Sequence, residues 1–140
     1  MKRLFFIVHN FRHARAVLAS ALENGFFPVL ITARQVVVCL GAPAAVAMID
    51  EAARETGNDS FDAVFDAANN VGAAMALLRR PDTTVFIDAD GDVLKKLNAL
   101  AEKTRSKVLR CLPTDALDMA KHFHLESACR DYAAQTEGKK

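Results

Sequence analysis

Residues 85–113, VFIDADGDVLKKLNALAEKTRSKVLRCLP, decide how this chain is read. Four residues, VFID, close a short apolar run of the kind that forms a buried strand. Asp88, Asp90, Gly91 and Asp92 then make a polar turn in which Gly91 allows the tight bend and Asp90 or Asp92 caps the following helix. The spacing of Val93, Leu94, Leu97 and Leu100 puts four apolar side chains on one face of that helix. A second strand, KVLRCL (107–112), follows after a short loop. Two strands joined through a helix pair in parallel, which predicts an α/β fold.

The same alternation extends outward in both directions. KRLFFIV (2–8), FPVLIT (27–32), FDAVFDA (61–67) and TTVFID (83–88) read as strands. Asn10 is placed to cap a helix running to Asn24, with Gly25 behind it in the left-handed position and Val17, Leu18, Ala21 and Leu22 as its apolar side. Residues 27–40 in one strand would reach about 46 Å, too long for a domain of this size. A break near Ala33–Gln35 is therefore expected, with VVVCL (36–40) as a further extended segment. Pro43 opens the next helix and Gly57 closes it. Asn69 or Asn70 caps the helix that ends before Pro81, and a last helix runs from about Asp115 into the 130s. We expect a single three-layer α/β/α domain over 1–136 with a frayed tail at 137–140. Its sheet should be mainly parallel and five-stranded, in flavodoxin-like order 2-1-3-4-5, with a Rossmann-like order as the alternative.

Composition bounds the function. Hydrophobic residues make up 51% and charged residues 25%, which suits a globular domain and excludes a disordered one. Apolar runs such as VVVCL fall far short of the roughly 18 residues that span a bilayer, so no membrane role is expected. Residues 1–40 carry five Lys/Arg against one Glu, residues 41–92 three against ten acids, and residues 93–140 ten against six. Charge divided in this way does not make the concentrated basic face that nucleic acid requires. The three cysteines, Cys39, Cys111 and Cys129, are odd in number and widely spaced, and Cys39 and Cys111 lie in apolar runs. Buried free thiols in a cytoplasmic protein are the expectation.

In order 2-1-3-4-5 the ligand crevice lies at the carboxyl ends of the first and third strands. The ligand-binding candidates are then His9, Asn10 and Arg12 from the first loop, Asp66, Asn69 and Asn70 from the third, and Asp88 and Asp90 beside them. The first loop, HNFRHAR, has no glycine fingerprint for a dinucleotide. Anion binding at the helix start by Arg12 and His13 stays open, as does a His9/His13 metal pair. His122 and His124, two residues apart, are expected at the surface.

VFIDADGDVL resembles the first motif of haloacid-dehalogenase-type phosphatases, an apolar strand followed by Asp-x-Asp-Gly-Thr, with Asp92 in place of the Thr. That resemblance implies Asp88 as nucleophile, Asp90 as general acid/base and both as Mg²⁺ ligands. The longer stretch 85–113 is similar to the second half of Toprim domains, where Asp66 stands nearest to the required Glu. Asp66 also resembles the phosphoacceptor of receiver domains, although His9 and Asn10 occupy the places of their acidic pair. The reading preferred from the residues is a regulatory module, without a cofactor, that binds a small ligand or a protein. Self-association through VVVCL at a sheet edge is expected. Mg²⁺-dependent phosphoryl transfer and a degenerate receiver are the alternatives.

Overall fold

A computed structural model describes residues 1–137 of the chain; of the frayed tail expected at 137–140, Glu137 still ends a helix and residues 138–140 lie outside the described residues. Strands β1 (Arg3–Val8), β2 (Phe27–Thr32), β3 (Asp62–Asp66), β4 (Thr84–Phe86), β5 (Lys107–Leu109) and β6 (Leu117–Asp118) form a mostly parallel sheet flanked by helices. The helices are α1 (Phe11–Asn24), α2 (Val36–Leu40), α3 (Ala42–Thr56), α4 (Val71–Leu78), α5 (Gly91–Thr104) and α6 (Leu125–Glu137). Among the described residues no helix is long and apolar enough to cross a membrane.

The α/β class and parallel sheet are as the alternation implied, but the strand order is β5-β4-β3-β2-β1-β6. The flavodoxin-like order 2-1-3-4-5 and the five-strand count are thereby corrected. The first and third strands are not neighbours in this order, since β2 stands between them, and the site expected at their ends is corrected with it. Strands β1 to β5 are laid down towards one edge and β6 is added on the other side of β1, so the reversal falls at β1 and β6.

The chain divides into two compact units. The first comprises Met1–Ile31, Met48–Asp62 and the segment from Thr114 onward. In β1 the two-residue period buries Leu4, Phe6 and Val8 while Arg3 stays outside. Arg3 pairs with Asp62 at 2.8 Å and lies 5.0 Å from the centre of the Phe27 ring. Phe6 stacks on Phe26 and meets Tyr132 edge-on, each pair with centroids 5.5 Å apart. Helix α1 buries Ala14, Val17, Leu18 and Ala21 and packs on α6. Leu22, expected on that apolar side, is 57% exposed. Asn10 caps α1 and Gly25 ends it at φ 70°, both as the residue types require.

The second unit comprises Thr32–Ala47 and Ala63–Pro113. Here β3, β4 and β5 pair in parallel, with Val64 opposite Thr84 and Val85 opposite Val108. Leu77, Leu78, Val85, Ile87, Leu97 and Ala101 form its apolar centre. Val93, expected inward, is 41% exposed, and Leu94 and Leu100 are half-buried. The break expected at Ala33–Gln35 is a turn.

Three further expectations are corrected. VVVCL is the short helix α2, with Val36 and Val37 buried and Val38 and Leu40 exposed. Burial of two neighbouring valines in a single helical turn overrides their preference for extended backbone. The stretch read as a helix from Asp115 contains β6 and a 3-10 turn (Met119–Lys121), and α6 starts only at Leu125. Cys39 and Cys111 are exposed, and only Cys129 is buried.

Candidate functional site

At the carboxyl end of β1 the chain turns through His9 and Asn10 directly into α1. The Asn10 side-chain oxygen accepts the His13 N–H at 2.9 Å, which places His13 in the first turn facing back on the loop. The His9 backbone N–H donates to His13 Nδ1 at 3.1 Å. A ring nitrogen that accepts carries no proton, so neutral His13 holds its proton on Nε2. Parallel pairing sets Phe6 opposite Leu117 and Ile7 opposite Asp118. That register brings the Asp118 carboxylate to His9, with Nε2 and Oδ1 2.7 Å apart. Asp118 Oδ1 also accepts the Ala120 N–H at 3.0 Å, capping the 3-10 turn. The two imidazoles meet edge-on at 5.5 Å.

Electrostatics follow from this geometry. Burial raises the Asp118 carboxyl, but the hydrogen bonds from His9 and Ala120 and the charges of His9 and Lys121 outweigh it and hold the group below its ordinary value. An anionic carboxylate needs a donor, so the shared proton sits on His9 Nε2. Burial lowers His13 from its ordinary value, the charges of His9 and Arg12 lower it further, and Asp118 opposes them. Folding thus favours neutral His13. The unfolded chain binds the proton more readily, so stability rises with pH through the window below about 6.5, the ordinary histidine value. Denaturant melts on the acid side should show this slope, and it should shrink in His13→Gln. An unchanged slope in that variant would sink the assignment.

The remaining candidates belong to the second unit. Asp66, at the end of β3, is 4% exposed. Its Oδ1 accepts the Ala68 N–H at 2.8 Å, and its own N–H donates to Thr32 Oγ1 at 2.9 Å. Burial raises its carboxyl above the ordinary range, against the Ala68 hydrogen bond and the Arg34 charge. The turn puts Ala68 at φ 54°, a strained value for a residue with a Cβ, and the Asp88 N–H donates to the Ala68 carbonyl at 2.7 Å. Asn70 caps α4 by accepting the Ala73 N–H at 2.9 Å, and Asn69 beside it is exposed. Asp90 occupies the cap position of α5 without a side-chain capping bond, and Gly91 takes φ 57°. Asp88 and Asp90 are both exposed.

The candidates therefore fall into two sets, His9, Asn10 and Arg12 in the first unit and the other five in the second. Among the described residues no group of three or more His, Cys, Asp or Glu side chains could hold a metal ion. The His9/His13 pair is turned to other partners, one ring bonded to Asp118 and the other to the His9 backbone. His122 and His124 are exposed, as their spacing suggested. Asp118 escaped sequence reading because a two-residue strand carries no periodicity. No family model matches the chain, and comparison with curated proteins and with solved structures found no match.

Proposed function

We propose that this chain is a binding module whose small ligand sits where β1 and β6 end. The observation that carries it is the His9–Asp118 pair, hydrogen-bonded at 2.7 Å where the strand order reverses. Open α/β sheets bind ligands at such reversals, outside the carboxyl ends of the strands. The hydrogen-bonded groups at this rim, from His9, Asn10, His13 and Asp118, offer donors and acceptors but no Ser, Thr or Cys nucleophile. That favours recognition over covalent catalysis.

Mg²⁺-dependent phosphoryl transfer through Asp66, Asp88 and Asp90 has less support, since Asp66 spends Oδ1 on its own turn. A receiver would need the order 2-1-3-4-5, which the sheet does not have. Three free cysteines, two of them exposed, support a reducing compartment such as the cytoplasm. Self-association loses its support from VVVCL, which is a helix and not an edge strand.

Amide NMR of the ¹⁵N-labelled protein against a panel of anionic, neutral and cationic small molecules tests the reading. Saturable changes are expected at residues 9–13 and 117–121. Asp118→Ala, which frees His9, should weaken the binding roughly tenfold, the worth of one charge-assisted hydrogen bond. Changes that map elsewhere, or no changes with any compound, would refute it.

A further inference from the structure

Resting on that reading, we infer that His9 is the base of the site, and that the ligand is a small, weakly acidic hydroxyl compound of the phenol type whose proton passes to His9 Nδ1. The Asp118 carboxylate is the starting point. An ionised carboxylate only accepts, so the 2.7 Å bond to His9 places the ring proton on Nε2. The lone pair of a neutral His9 is then on Nδ1, the other ring nitrogen. Among the described residues no hydrogen bond reaches that atom. It is not sealed in either, because the one fully enclosed side-chain nitrogen or oxygen without a partner among them is Lys2 Nζ. The His9 side chain is 36% exposed, and its free acceptor is open to a molecule that arrives from solvent.

The ring is also held in one orientation. The His9 backbone N–H donates to His13 Nδ1 at 3.1 Å, the two rings meet edge-on at 5.5 Å, and Asp118 fixes Nε2. Strand β1, helix α1 and strand β6 thus each restrain a single imidazole. An imidazole oriented and backed by a carboxylate is suited to general-base work, since the carboxylate sets the tautomer and stabilises the imidazolium that forms. The acceptor then selects the ligand, which must be a hydrogen-bond donor. An ammonium or guanidinium would meet the exposed cations that the same segments carry, Arg12 two residues beyond Asn10 and Lys121 three beyond Asp118. An amide N–H is far too weak an acid to give its proton to imidazole. A phenol-type O–H satisfies both conditions. Its O–H bond breaks with the electron pair left on oxygen, and the new N–H forms at His9 Nδ1. The oxyanion is left beside an imidazolium, whose Nε2–H stays on Asp118.

The probe is 4-nitrophenol, whose phenolate is yellow, titrated into the full chain at constant near-neutral pH. The control is 4-nitroanisole, a similar ring without the O–H. Absorbance reads the phenolate, and histidine ¹⁵N and amide spectra read the protein. 4-Nitrophenol should move residues 9–13 and 117–121 saturably at millimolar concentration and raise the phenolate fraction. It should also shift His9 Nδ1 towards the resonance of a protonated nitrogen, and 4-nitroanisole should do none of these. His9→Gln should abolish the gain in phenolate. Asp118→Asn, which keeps an oxygen for the Ala120 N–H but loses the charge behind the ring, should lower it roughly tenfold. Three results would overturn the inference and leave the ligand site standing. These are 4-nitrophenol bound there with its proton retained, binding no tighter than that of 4-nitroanisole, and a phenolate gain that survives His9→Gln. If neither compound moves these residues the inference falls, and if nothing in the wider panel moves them the binding site falls with it.

Discussion

Phe6→Ala should be the most damaging single substitution in the first unit, lowering stability by about 3–5 kcal/mol. Phe6 is completely buried at the middle of β1, with Phe26 stacked on one side and Tyr132 edge-on at another. Truncation removes a large apolar side chain and two ring pairs, and close-packed neighbours relax only partly into the space. Phe6 is also the β1 residue opposite Leu117, one step before Ile7 meets Asp118. The loss should therefore reach the site as well as the core. A fall in melting temperature of roughly 10 °C or more is expected for a chain of this length. The His9 and His13 imidazole resonances should broaden or move towards free histidine. Phe6→Leu, which keeps most of the volume, should retain both. A Phe6→Ala protein as stable as wild type would mean that Phe6 does not anchor the core of the first unit.

Asp66 carries the second large effect, and its sign depends on the substitution. Asp66→Ala removes the acceptor of the Ala68 N–H in a buried turn and should cost about 1–3 kcal/mol. Asp66→Asn keeps an oxygen acceptor and discards the charge. Because burial raises this carboxyl in the folded state, the fold binds the proton more readily than the unfolded chain. Stability is then greatest below the unfolded value, near 4, and falls as pH rises through the folded value. Asp66→Asn should accordingly be more stable than wild type at neutral pH, and the gain should vanish at about pH 4. Urea denaturation at the two pH values reads both outcomes. A loss of stability in Asp66→Asn at every pH would show that the carboxylate is held charged, and would return Asp66 to the list of functional groups.

Much of this molecule was legible from short stretches. The Phe, Ile and Val content of KRLFFIV placed β1, and Asn10 and Gly25 bounded α1 at the residues where the structure starts and stops it. A cap for α4 at Asn69 or Asn70 and a break at Ala33–Gln35 were equally local, because caps and turns are decided by a side chain and the backbone within a few residues. The candidate site was half legible. His9 and Asn10 could be named because a strand end followed by a helix cap is a local pattern.

Asp118 could not be found in that way. It lies 109 residues from His9, on a strand of two residues that pairs with β1. VVVCL shows the same limit, since three valines in a row favour extended backbone until burial of Val36 and Val37 selects a helical turn. The sequence alone therefore determined most of the alternation of strand and helix and the residues that bound α1. The order of the strands, the existence of β6 and the pairing of His9 with Asp118 were decided by tertiary packing. Long-range pairing is chosen by the total surface and hydrogen bonding that all elements satisfy together, a sum that no single segment encodes.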